Sequence, residues 1–149
     1  MSSASVRTSI KSFIESEFQE EILIDLTAEF DMLNDLLDRY DAKGRDWVGI
    51  QFISNPEEPI GLVADNQQGM YLEEGVIYLH IVDVAYLGVA SSILNRAESI
   101  RNKFRGQRIG DIVIEATSPP NFEAGATLQF EGGYTACSVL ISYSRRFTI

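Results

Sequence analysis

Reactive side chains are scarce in this chain, which holds one cysteine, Cys137, and one histidine, His80. A single cysteine cannot form an internal disulfide, and its setting in YTACSVLISY reads as a strand interior, not as an activated thiol. With one histidine, any Ser/His/Asp or Cys/His nucleophilic system would have to use His80. A lone histidine between Leu79 and Ile81 in a strand, with no converging partner, is more often a hydrogen-bonded sheet residue than a catalytic one. A small enzyme built on His80 and Asp83 is further disfavoured because their spacing puts the two side chains on opposite faces of a strand.

Ligand spacings such as HxxxH or CxxC are missing, and neither GxxxxGK[ST] nor GxGxxG opens a helix. The neighbouring pairs Glu57 with Glu58 and Glu73 with Glu74 read as solvated charge more readily than as a cation site. No metal and no cofactor is expected, and no catalytic residue is assigned.

Basic residues are also few: 12 Lys and Arg against 22 Asp and Glu give a formal charge of -10. A protein that grips phosphates needs clustered Lys and Arg, so specific nucleic-acid binding is not expected, although DNA could slide past such a surface. From Trp47 through Asn95 there is no Lys or Arg at all, whereas Arg96, Arg101, Lys103, Arg105 and Arg108 crowd one helix and its exit. Two solvated faces would produce that split. So would head-to-tail contacts in which one copy's basic helix meets its neighbour's acidic loop. No apolar run approaches the roughly 20 residues that span a bilayer, and MSSASVRTSIKSF has no hydrophobic signal core. Synthesis in a reducing cytoplasm and no membrane partner are the expectations.

The best-patterned stretch runs from Glu74 to Gly110. Ile77, Leu79 and Ile81 alternate with Tyr78, His80 and Val82, the period of a buried, central strand. After Gly88 the period becomes helical: Ile93, Ala97, Ile100 and Phe104 form one stripe, Ser91 or Ser92 caps its start, and Gly106 stops it. Upstream, Val6, Ile10, Phe13, Ile14 and Phe18 predict a helix from about Ser5 to Glu20. The segment ILIDL reads as a short strand or a helical continuation, and Phe30, Leu33, Leu36, Leu37 and Tyr40 favour a second short helix after Thr27. A strand with Val48, Ile50 and Phe52 on one face follows, then a loop from Asn55 to Glu74. Ile112, Ile114 and Ala116 make a third strand that ends at Pro119 and Pro120. Cys137, Val139, Ile141 and Tyr143 make the last strand.

The predicted architecture is one α+β domain over 1–149, with a helical part at 1–46 and a β-loop-β-α-β-β core at 47–149. Its sheet is four-stranded, mixed or antiparallel, with helices on one face. A loop of about 20 residues inside a compact domain is generally functional or disordered, and its apolar residues Ile60, Leu62, Val63, Met70 and Tyr71 gain nothing from solvent. They fold back on the sheet or dock on a partner. Trp47 at the strand start serves equally as core anchor or interface residue.

The run from Trp47 onward resembles the tail terminator family of long-tailed bacteriophages, the lambda-type tail tube terminators and their relatives. The resemblance lies in WVGIQFI, a long loop, EEGVIYLHIVDVAYLG, a helix with RAESIRNKFRG, a strand IGDIVIEA, prolines, and a closing GGYTACSVLISYSRRF. It implies a structural virion protein, made in the bacterial cytoplasm, that forms a hexameric ring on the head-proximal end of the tail tube and stops tube polymerisation. The implied partners are further copies of the chain, the tail tube protein, a neck or head-completion protein and, in a contractile tail, the sheath protein, with DNA passing through the lumen. On this reading Trp47, Ile60, Leu62, Val63, Met70, Tyr71, Arg96, Arg101 and Arg105 are candidates for subunit or tube contacts. Glu57, Glu58, Asp65, Glu73 and Glu74 are candidates for lumen carboxylates that repel the phosphates of passing DNA. The competing readings are another neck or connector completion protein and a monomeric peptide-binding module.

Overall fold

The structure, a computed structural model, describes residues 4–26, 37, 40, 42, 45–54, 58–59, 70–84, 90–121 and 134–148. Helix α1 (Ala4–Glu17) forms on the expected stripe, with Val6, Ile10 and Ile14 buried. Strand β1 (Leu23–Asp25) then runs parallel to β2 (Trp47–Ser54), which pairs antiparallel with β4 (Met70–Val84). The short β3 (Glu58–Pro59) lies along the start of β4. Helix α2 (Ala90–Phe104) leads through β5 (Arg108–Ile109) and β6 (Ile112–Thr117) to β7 (Tyr134–Thr148). The sheet order is β1-β2-β4-β7-β6-β5, with β3 off that path beside β4.

The α+β class, the mixed sheet and the central place of the Ile77–Ile81 strand agree with the sequence. The strand count does not: the described residues form seven strands, not four. The additional β1, β3 and β5 are only two or three residues long, too short to display a period, and exist through their pairing with longer neighbours. Similarly, Met70–Glu74, expected at the end of a loop, is strand, because β7 continues to Thr148 and supplies a partner at every position back to Met70. The remainder of that loop, 55–57 and 60–69, lies outside the described residues, as does most of the helix expected after Thr27.

Both described helices pack on one face of the sheet. There Val48, Ile50 and Phe52 of β2, Ile77, Leu79 and Ile81 of β4, and Cys137, Val139, Ile141 and Tyr143 of β7 meet the stripes of α1 and α2. All four predicted α2 residues, Ile93, Ala97, Ile100 and Phe104, are buried. Phe104 touches Phe13 of α1 edge to face, with ring centroids 5.0 Å apart. Burial of each such side chain contributes about 1.5–3 kcal/mol. Helix α2 begins at Ala90, ahead of Ser91 and Ser92, so neither serine holds the capping position. Gly106 has φ 65, a left-handed value that lets the chain leave the helix.

In β6 the predicted alternation holds for Ile112 and Ile114 and then fails. A register shift between Ile114 and Ala116 leaves Ala116 exposed. On the other face of the sheet, a second cluster of Ile24, Leu37, Ala42, Trp47 and Val82 covers one end.

Candidate functional site

The sheet face opposite the helices changes character along the strands. Its first row, Trp47, Val82 and Ala136, lies under Ile24, Leu37 and Ala42. The next row contains His80, whose ring bridges three strands: Ser138 Oγ lies 2.6 Å from Nδ1 and Gln51 Oε1 2.6 Å from Nε2. An amide oxygen only accepts, so Nε2 carries the hydrogen and Nδ1 accepts from the Ser138 hydroxyl. Burial lowers the pKa of His80 to about 4, which keeps the ring neutral. Asp83 points to the opposite face of β4, toward Arg96.

Beyond His80 the cover thins. Tyr78 pairs with Gln51 and Leu140, and Val76 pairs with Ile53 and Ser142. Val76, Tyr78 and Leu140 are half-buried, while Ile53, at 52% exposure, is the large hydrophobic residue most open to solvent among the described ones. This half-face, left open by the described residues, is the candidate contact surface. Sequence reasoning missed Ile53, although a signal was present. It is an apolar residue in strand phase with Trp47, Gly49 and Gln51, where a solvated face calls for a polar one.

The sheet's edges, in contrast, are blunted. At β1 the Asp25 side chain turns inward, and Arg7 Nη2 and Lys11 Nζ meet its Oδ2 at 3.2 and 3.3 Å. At the other side two-residue β5 covers only Ile112 and Val113 of β6; along the rest of β6 the register shift distorts the strand, Arg101 Nη2 donates to the Thr117 carbonyl at 3.3 Å, and Pro119 and Pro120 follow. Inward charges, bulges and prolines are the devices that discourage strand addition.

Several predicted contact residues serve the fold instead. Trp47 is fully buried in the second cluster, so it is a core anchor with no surface to offer a partner. Arg96 is held by Glu21 in a two-pronged ion pair, Nε to Oε1 at 2.8 Å and Nη2 to Oε2 at 2.5 Å. Its Nη1 bonds Asp83 Oδ1 and the Val82 carbonyl, and its Nη2 also reaches the Trp47 carbonyl. One guanidinium thus joins the α1–β1 connection, β2, β4 and α2. The carboxyls of Glu21 and Asp83 hold its pKa above the ordinary value despite burial, and burial raises that of Asp83 even beside Arg96. Arg101 pairs with Glu98 one turn back. Arg105 is exposed.

Tyr71 is half-buried and stacks on Phe147, with ring centroids 5.9 Å apart, while Arg145 lies over the same Phe147 ring at 4.7 Å. Glu73 is 1% exposed and accepts a hydrogen bond from Tyr143 Oη at 3.2 Å, so it is an internal group and not a solvated carboxylate lining a channel. Burial rather than exposure follows from its phase, since it shares the helix-side face with Gly75 and Ile77. Glu74, one residue on, is exposed. Glu58 lies in β3 by its backbone, Met70 opens β4, and Ile60, Leu62, Val63, Glu57 and Asp65 fall outside the described residues.

Cys137 is buried and its thiol is pushed up to about 11 by desolvation, the opposite of an activated nucleophile. Among the described residues no group of three or more His, Cys, Asp and Glu could hold a metal ion, and no helix is long and apolar enough to cross a membrane. Compared with models of known protein families and with curated proteins, the chain matches none.

Proposed function

We propose that this chain is a structural protein that works by assembly, a ring-forming tail terminator that caps the head-proximal end of a phage tail tube and joins it to the neck. The reading rests on the resemblance carried by the run from Trp47 onward. The observation that supports it is the half-covered sheet face, where Ile53 stands open beside half-buried Val76, Tyr78 and Leu140. An apolar patch on a face between blunted edges suits docking of a folded surface better than strand addition. The groups best placed for chemistry, His80, Asp83 and Cys137, are buried and their bonding is internal.

In this proposal the apolar half-face meets a neighbouring copy or the tube with exposed Glu74 at its rim, while Arg105, exposed at the end of α2 on the helix side of the sheet, is available to a separate head-to-tail contact. The partners are further copies, the tube protein and a neck protein, with DNA in the lumen. The test is mass in solution by light scattering at several protein and salt concentrations, repeated after tail tubes are added. Six subunits, or a ring that appears only on tubes, is the expected result. A monomer that ignores tube ends overturns the proposal and favours a module that takes a peptide on the same face.

A further inference from the structure

We draw no further inference here: the strongest candidate outside the half-face already described, the shallow groove between α1 and β1 lined by Arg7, Lys11, Glu15 and Asp25, carries nothing, because both cations already meet the Asp25 carboxylate and nothing in the structure points to a ligand.

Discussion

The ring of Tyr143 lies across Gly75, its partner in the central β4–β7 pair, so closely that a Cβ at position 75 would come within 2.6 Å of the phenolic oxygen. The Ile53 carbonyl, 2.8 Å from the same point, closes the other side. Glycine here weakens the strand by roughly 0.5–1 kcal/mol relative to alanine. The Gly75→Ala exchange nevertheless destabilises, because Tyr143, itself 1% exposed, has nowhere to move. Overpacking of this kind costs about 1–3 kcal/mol. Urea unfolding of Gly75→Ala is expected to show a loss in that range, and a variant as stable as wild type would refute the steric account. Tyr143→Phe removes a donor from buried Glu73 and is expected to cost about 1–3 kcal/mol by a separate route.

Arg96 fixes how α2 sits on the sheet. Replacing it with methionine keeps much of the stem but leaves Asp83, whose side chain is 10% exposed, without its ion-pair partner. Removing one partner of a buried ion pair costs about 3–5 kcal/mol. Arg96→Lys is expected to recover only part of this, since an ammonium cannot reproduce the two-pronged contact with Glu21 and also reach the Val82 and Trp47 carbonyls. Denaturant midpoints of both variants check the order, wild type above lysine above methionine. If Arg96→Met lost less than about 1 kcal/mol, the network would be a surface decoration.

His80 makes stability depend on pH in one direction. The folded chain holds its pKa near 4, against 6.5 for the free side chain, so the unfolded state takes up the proton first. Stability from this group is complete above pH 6.5 and is lost progressively as pH falls toward 4. The full loss is on the order of 3 kcal/mol, from about 1.4 kcal/mol for each unit of pKa difference. Carboxylates titrate in the lower part of this range, so the readout is a difference between two proteins. His80→Gln is expected to be less stable than wild type at pH 7, with a gap that narrows toward pH 4.5. A gap that stays constant between those two pH values would show that the imidazole does not carry the effect.

The parts of the fold legible in the sequence were those with long periods. The α2 stripe from Ile93 to Phe104 and the strand around Leu79 came through intact, because each repeats often enough for one buried face to outweigh any local exception. Leu23–Asp25 came through only as one of two readings of ILIDL and Arg108–Ile109 not at all, since pairing alone makes them strands. Met70–Glu74 escaped notice because two adjacent glutamates look solvated until β7 buries Glu73 and leaves Glu74 outside. Two of the predicted contact residues, Trp47 and Arg96, turn inward for a related reason. Trp47 and Arg96 have the chemistry of interface anchors, but a core tryptophan and a satisfied arginine have the same sequence signature, and only the packing tells them apart. The same packing leaves Ile53 open, and its apolar character in phase with Trp47, Gly49 and Gln51 is the signal that marks it in the sequence.

Ile53 offers the cleanest separation of assembly from folding. At 52% exposure it contributes little to the monomer, so Ile53→Lys is expected to leave the denaturant midpoint within about 0.5 kcal/mol of wild type. Trp47→Ala, three rows away on the same face, removes a fully buried indole and is expected to cost about 3–5 kcal/mol. If the uncovered half-face is the assembly contact, Ile53→Lys abolishes ring formation or tube capping in a folded protein, because it places a charge in the apolar centre of the contact. Arg105→Glu, at the end of α2 on the helix side of the sheet, tests a separate charged contact and is expected to weaken assembly mainly at low salt, where exposed charges are least screened. Sedimentation of each variant with and without tubes, alongside its unfolding curve, gives both readouts. Rings that form normally from folded Ile53→Lys would remove this face from the contact and turn attention to the apolar residues Ile60, Leu62 and Val63 between β3 and β4.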